Sequence, residues 1–162
     1  MTAVTTASVD QTQSVAAAVA DLVVAGDLVL LSGDLGAGKT AFVKGFAAEL
    51  GVTQPVTSPT FTLAQRYEGR LTVHHLDVYR LAQLSEVVDL AIPELLDGAT
   101  VTLIEWGDVI VPALPADYLE VAFTFGDGDD DRRLAFRAVG PRWSARRRSL
   151  GEALAPWTVT PC

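Results

Sequence analysis

A three-layer α/β fold, with a largely parallel central sheet and an antiparallel hairpin toward the C-terminus, is the architecture this sequence predicts. Three observations lead to it. The apolar, β-branched run Leu28-Val29-Leu30-Leu31 enters the glycine-rich stretch Gly33-Asp34-Leu35-Gly36-Ala37-Gly38-Lys39-Thr40, and a helical pattern follows. That is the strand–loop–helix order of a P-loop, matching G-x-x-x-x-G-K-[ST] at every fixed position and pointing to a P-loop NTPase-like fold. Val101-Thr102-Leu103-Ile104 is a second continuous apolar run, as expected of a parallel strand buried on both faces. Tyr118 to Phe125 and Arg133 to Val139 alternate in polarity about the turn-rich Gly126 to Asp131, which predicts a hairpin with one solvated face.

The elements follow in order. Ser8 and Gln11 have capping-box spacing ahead of an alanine-rich helical run that ends near Gly26. After the glycine-rich loop, Phe42, Phe46 and Leu50 recur every fourth residue, flanked by Val43 and Ala47, and Gly51 stops this buried helical stripe. A polar, proline-containing segment from Thr53 to Thr62 leads into two strand-like runs, Phe61 to Tyr67 and Leu71 to Leu76. Glu68-Gly69-Arg70 lies between them, so they predict a second hairpin. A helical pattern spans Ser85 to Leu90, Pro93 opens another short helix, and a terminal helix is expected from Ser144 to Leu154.

Composition sets the outer bounds. With 162 residues, 49% hydrophobic and 20% charged, the chain is expected to form one globular domain over residues 1–162. Lys and Arg total 12 against 20 Asp and Glu, a formal net charge of −8, which argues against a surface devoted to gripping polyanions. Positive charge gathers late in the chain, at Arg132, Arg133, Arg137, Arg142, Arg146, Arg147 and Arg148. Those arginines read either as a solvated face or as a docking surface for an acidic partner or RNA. The one cysteine, Cys162, allows no intrachain disulfide. Met1 to Asp10 lacks the basic and apolar regions of a leader, and no apolar run approaches membrane-spanning length, so a cytoplasmic protein is expected.

The chemistry concentrates around the glycine-rich loop. Its glycines let the backbone aim several N–H groups of Asp34 to Ala41 at one anion, and the next helix adds its N-terminal dipole. Lys39 is expected to reach the β- and γ-phosphates of a nucleotide, and the Thr40 hydroxyl to ligate Mg²⁺. Asp77 and Glu105 each end an apolar run, where parallel strands deliver ligands to the sheet edge. One acid should hold the metal and the other orient an attacking water, and the residues alone leave the assignment open. Adjacent His74 and His75 on a strand point to opposite faces, which favours a hydrogen-bonded strand histidine over a zinc pair. The acidic turn Gly126 to Asp131 is too short for a full Ca²⁺ loop and lacks its distal Glu. No Ser/His/Asp or Cys/His pattern supports nucleophilic catalysis.

Ser58-Pro59-Thr60-Phe61, His75-Leu76-Asp77-Val78-Tyr79-Arg80 and Glu105-Trp106 follow the loop in that order. Together they resemble the bacterial TsaE (YjeE) family, the small ATPase of tRNA threonylcarbamoyladenosine biosynthesis, from about Ser8 to Trp106. The resemblance implies an ATP- and Mg²⁺-dependent protein that hydrolyses slowly and does not itself transfer the threonylcarbamoyl group. It further implies TsaB-like and TsaD-like partners, modification of adenosine 37 in ANN-decoding tRNAs, tRNA contact only indirectly or weakly, and no membrane. By the same resemblance Glu105 belongs with the metal and Asp77 with the water or a switch. Thr60 folds over the γ-phosphate, Trp106 lies beside the nucleotide, and Ser8 and Thr12 mark the segment near the base. Gly107 stands where the family often has proline. Arg80 is a candidate arginine finger in cis, unless a partner supplies one. Two other functions share the loop. A small-molecule kinase normally adds an arginine-bearing lid and an acceptor pocket, which the sequence does not display. An ATP-sensing module without turnover lacks only a competent water-positioning acid.

Overall fold

The computed structural model describes residues 1–34, 36–57, 64–77, 98–105 and 116–159. Seven strands form one sheet: β1 (Thr2–Thr6), β2 (Leu28–Ser32), β3 (Ala64–Glu68), β4 (Thr72–Asp77), β5 (Thr100–Glu105), β6 (Tyr118–Phe125) and β7 (Arg132–Val139). Among the described residues four α-helices accompany them: α1 (Val9–Ala20), α2 (Lys39–Glu49), α3 (Pro141–Ala145) and α4 (Arg147–Leu154), with a 3₁₀ turn at Ala155–Trp157. The strand order is β1-β7-β6-β2-β5-β4-β3. Its centre, β6-β2-β5-β4, is parallel throughout, whereas β1-β7, β7-β6 and β4-β3 are antiparallel pairs.

Both apolar runs lie in this centre, and both faces of it are buried. Val29, Leu31, Val73, Val101, Leu103, Leu119, Val121 and Phe123 share a core with Val15, Ala16 and Val19 of α1 and Phe42, Val43, Phe46 and Ala47 of α2. Leu28, Leu30, Leu76 and Ile104, which alternate with these along their strands, are no more than 1% exposed. That two-sided burial is why the strands read as unbroken apolar runs. The predicted phenylalanine stripe of α2 is the buried one, and Phe42 meets Phe123 of β6 edge to face at 5.7 Å between ring centroids. The helices themselves approach closely at Gly45, where a Cβ would lie 2.4 Å from the Gln13 carbonyl oxygen.

The structure corrects three expectations. The alanine-rich helix ends at Ala20 rather than near Gly26, and the C-terminal hairpin lies one strand in from the sheet edge, with β6 pairing directly with β2 and β1 covering β7. β1 escapes pattern reading because its five residues, TAVTT, offer one aliphatic side chain, Val4, in the core. Its strand state comes from pairing with β7, and tertiary context of this kind overrides weak propensity. The expected terminal helix is two helices, broken at Arg146 (φ −101°, ψ 7°), the first opened by Pro141. The predicted patterns from Ser85 and Pro93 lie outside the described residues. No helix among the described residues is long and apolar enough to cross a membrane.

The helix break has a packing role. Arg146 donates from both terminal nitrogens to the Asp27 carboxylate, at 2.5 and 2.8 Å, and from one of them to the Leu22 carbonyl at 3.0 Å. Its guanidinium also covers the Trp143 ring at 4.0 Å. Asp27 is buried and also accepts from the Val24 N–H at 2.8 Å, so its oxygens bind the turn ahead of β2 to the C-terminal helices. Removing one partner of such a pair is costly because the other stays desolvated. Asp27→Ala should therefore lower unfolding free energy by about 3 kcal/mol, read from urea melts. A change below about 0.5 kcal/mol, the usual size for a surface substitution, would show that the bridge contributes nothing.

Candidate functional site

β2 delivers the chain into the glycine-rich loop at the C-terminal edge of the parallel strands. Gly33, Gly36 and Gly38 take φ values of +142°, +80° and +107°, a region open to glycine at little cost. Gly38 is the N-cap of α2, and no side chain caps that end. Helix N-termini without such caps direct N–H groups and a partial positive charge outward. Inside the loop the Ala37 N–H donates to the Asp34 carbonyl at 3.0 Å, fixing the turn. Lys39 is buried, and its Nζ donates to the Gly33 carbonyl at 2.6 Å and the Asp34 carbonyl at 3.0 Å. An ammonium at a helix N-terminus opposes the dipole, so this lysine is held there by the loop's own carbonyls.

Two acids occupy the same edge. Asp77 ends β4 and Glu105 ends β5, opposite each other in parallel register, and both are buried. Neighbouring strands are about 5 Å apart, and at that spacing two carboxylates repel unless a cation offsets them. His75, one turn of the pleat before Asp77, is fully buried and lies 2.6 Å through Nε2 from Glu105 Oε2. His74 points the other way, as adjacent strand residues must. Burial, and then the nearby Arg66 guanidinium, hold its pKa below the ordinary histidine value. The two histidines do not converge.

A cleft of about 300 Å³ joins these parts, lined by Val9, Thr12, Gly36, Gly38, Lys39, Thr40, Ala41, Asp77, Glu105, Asp130 and Arg132. Eight of those residues were expected from the sequence. Thr12 lines it while sharing a 2.8 Å hydrogen bond with Thr6 between their hydroxyls. Ser8 does not line it. Its hydroxyl caps α1 by accepting from the Gln11 N–H at 3.1 Å, while Gln11 Oε1 accepts from the Ala7 N–H at 2.7 Å. Asp34 and Ala37 also stay out of the lining and serve the loop's internal bonds. Leu35, Thr60, Arg80 and Trp106 lie outside the described residues.

Val9, Asp130 and Arg132 are cleft residues that sequence reasoning missed. Arg132 donates to the Gly36 carbonyl at 3.3 Å, and to the Asp129 and Asp131 carbonyls at 2.8 Å each. Its guanidinium stacks 4.7 Å from the Phe125 ring centre. The signal was the β6–β7 turn, which reaches the loop because β6 runs parallel to β2. Four of the other late arginines form ion pairs: Arg137 pairs with Glu120, Arg142 and Arg146 approach Asp27, and Arg148 pairs with Glu152 in solvent.

The donor set suits a hard cation. Thr40 offers a hydroxyl and Asp77 and Glu105 offer carboxylates, an all-oxygen set of the kind Mg²⁺ takes. Among the described residues no three His, Cys, Asp or Glu side chains form a metal cluster. One or two carboxylates completed by water and phosphate oxygens is the usual Mg²⁺ arrangement in nucleotide sites. The residues present fit that arrangement.

Comparison with known proteins agrees with the motif order. Residues 6–134 match the family model described as threonylcarbamoyl adenosine biosynthesis protein TsaE. That span passes beyond Trp106 to take in β6, Asp130 and Arg132. A Bacillus subtilis protein named tRNA threonylcarbamoyladenosine biosynthesis protein TsaE is 43% identical over 139 residues, covering 85% of this chain and 86% of its own. A Nostoc protein of the same name is 39% identical over 132 residues, covering 78% and 80%. The crystal structure of Bacillus subtilis YdiB superposes with a TM-score of 0.79 at 36% identity, over 93% of each chain.

Gly33 tests the loop's anchoring. A Cβ there would lie 2.7 Å from the Phe123 carbonyl oxygen and 2.9 Å from its Cβ, whereas one at Gly36 meets nothing within 4 Å. Gly33→Ala should cost about 1–3 kcal/mol more than the positive-φ strain alone, while Gly36→Ala should show only the latter. Equal urea midpoints for the two variants would refute the close packing of Gly33 on β6.

Proposed function

The chain belongs to the TsaE family of threonylcarbamoyl adenosine biosynthesis proteins, and from that premise we propose that it is a Mg²⁺-dependent ATP-binding protein and slow ATPase. It serves TsaB-like and TsaD-like partners in forming threonylcarbamoyladenosine at position 37 of ANN-decoding tRNAs, and leaves the transfer itself to them. The whole chain acts as one ATPase domain. The observation that carries this reading is the meeting of Lys39, Thr40, Asp77 and Glu105 in one cleft at the end of β2, β4 and β5.

The chemistry needs little covalent help. Phosphoryl transfer to water is accelerated mainly by positioning and by charge stabilisation. Backbone N–H groups at the start of α2 receive the phosphates, and Lys39 exchanges its bonds to Gly33 and Asp34 for phosphate oxygens. Thr40 and Glu105 would hold Mg²⁺, which would supply positive charge to offset that of the phosphates. Asp77 orients the attacking water. Thr60 closes over the γ-phosphate and Trp106 lies beside the nucleotide, both as the family resemblance implies. Val9 and Thr12 also line the cleft, and the family resemblance puts the segment holding Thr12 near the base.

Binding of a fluorescent ATP analogue and phosphate release, alone and with both partner proteins, test the proposal. Lys39→Ala should weaken ATP binding about 10- to 100-fold, the worth of one charge-assisted hydrogen bond. Asp77→Asn should bind ATP normally and release phosphate about 100-fold more slowly. Retained affinity in Lys39→Ala would make the loop merely structural. Turnover that required a phosphate-accepting metabolite would replace the ATPase with a kinase.

A further inference from the structure

We propose that His75 is a positioning residue that holds the Glu105 carboxylate in the one orientation in which it can serve a metal ion. This rests on the reading of Glu105 as the acid beside Mg²⁺. Three observations lead to it. The ring is fully buried, at 0% exposure, on the face of the sheet that carries Val73, Val101 and Leu103. A polar group there costs free energy unless it is bonded, and a leucine would pack without that cost. Its Nε2 lies 2.6 Å from Glu105 Oε2, and the two residues come from separate strands, His75 pairing with Leu103 two positions before Glu105 on the same face.

The direction of the bond follows from chemistry. A carboxylate oxygen accepts, so Nε2 carries the hydrogen and donates. Nδ1 is buried and has no hydrogen-bond partner among the described residues. Among the described residues the ring therefore makes one polar bond, and it is to Glu105. With Oε2 engaged, the carboxylate cannot rotate freely, and Oε1 is the oxygen left for a ligand. Partners behind a metal-binding carboxylate act in this way, and losing one typically costs 10- to 100-fold in metal affinity. The packed strand fixes the ring, the ring fixes the carboxylate, and Glu105 lines the cleft beside Thr40.

The test separates metal from nucleotide. In His75→Leu, affinity for the fluorescent ATP analogue in EDTA should stay within about 2-fold of the unaltered chain. The Mg²⁺ concentration for half-maximal enhancement of binding should rise about 10- to 100-fold. His75→Gln, which keeps an N–H donor on a longer arm, should restore most of that loss. On the unaltered chain, which has only two histidines, ring ¹⁵N spectra should show His75 protonated at Nε2. That resonance should move when Mg²⁺ joins the nucleotide complex, and stay still when nucleotide is added without metal. This measurement stands whether or not the leucine variant folds. An unchanged Mg²⁺ midpoint in His75→Leu, equal loss of metal-free binding, or a ring signal indifferent to Mg²⁺ would each overturn the positioning role. Glu105→Ala with an unchanged Mg²⁺ midpoint would instead overturn the underlying assignment of Glu105, so the two failures are distinguishable.

Discussion

Everything at this sheet edge depends on β2 being bonded on both sides by parallel strands. Parallel pairing to β5 and β6, with β4 beyond β5, makes four strands end on the same edge. Whatever follows or ends each strand is thereby gathered. β2 contributes the glycine-rich loop, β5 Glu105, β4 Asp77, and β6 the turn that carries Asp130 and Arg132. Were β6 paired antiparallel to β2, its turn would emerge at the opposite edge and the cleft would lose a wall.

The helices convert that gathering into a fixed geometry. α2 begins at Gly38, lays Phe42 on Phe123 of β6, and meets α1 at Gly45 so tightly that no side chain fits between them. α1 in turn begins with the Ser8 cap and presents Val9 and Thr12 to the cleft. The glycine in mid-helix costs propensity relative to alanine, roughly 1 kcal/mol, and its close helix contact is the compensating gain. A displacement of α1 thus reaches the loop through packed backbone rather than through flexible side chains.

The sequence was most legible where chemistry and periodicity coincide. The loop spacing, the acids ending two apolar runs and the Ser8–Gln11 cap are all local signals; the strands carrying the acids lie within a residue or two of expectation, and the capped helix starts where expected but stops at Ala20. Long-range pairing was not legible. Nothing in TAVTT marks an edge strand, and the Arg132–Gly36 bond spans 96 positions. The hairpin was visible but its neighbour was not, so the turn's acids and Arg132 were read as surface. His75 shows a subtler limit: alternation predicted its face and a hydrogen bond, while its partner depended on β4 and β5 being adjacent and in register.

Lys39 carries one further consequence. Its ammonium already has two backbone carbonyls as partners before any anion arrives. The loop is therefore its own competitive ligand, and what an anion gains at Nζ is a difference between two sets of bonds. A weakly charged anion gains little from that exchange, whereas a polyphosphate repeats the gain along the N-terminus of α2. The same pair of carbonyls keeps a buried cation from destabilising the helix start when the cleft is empty.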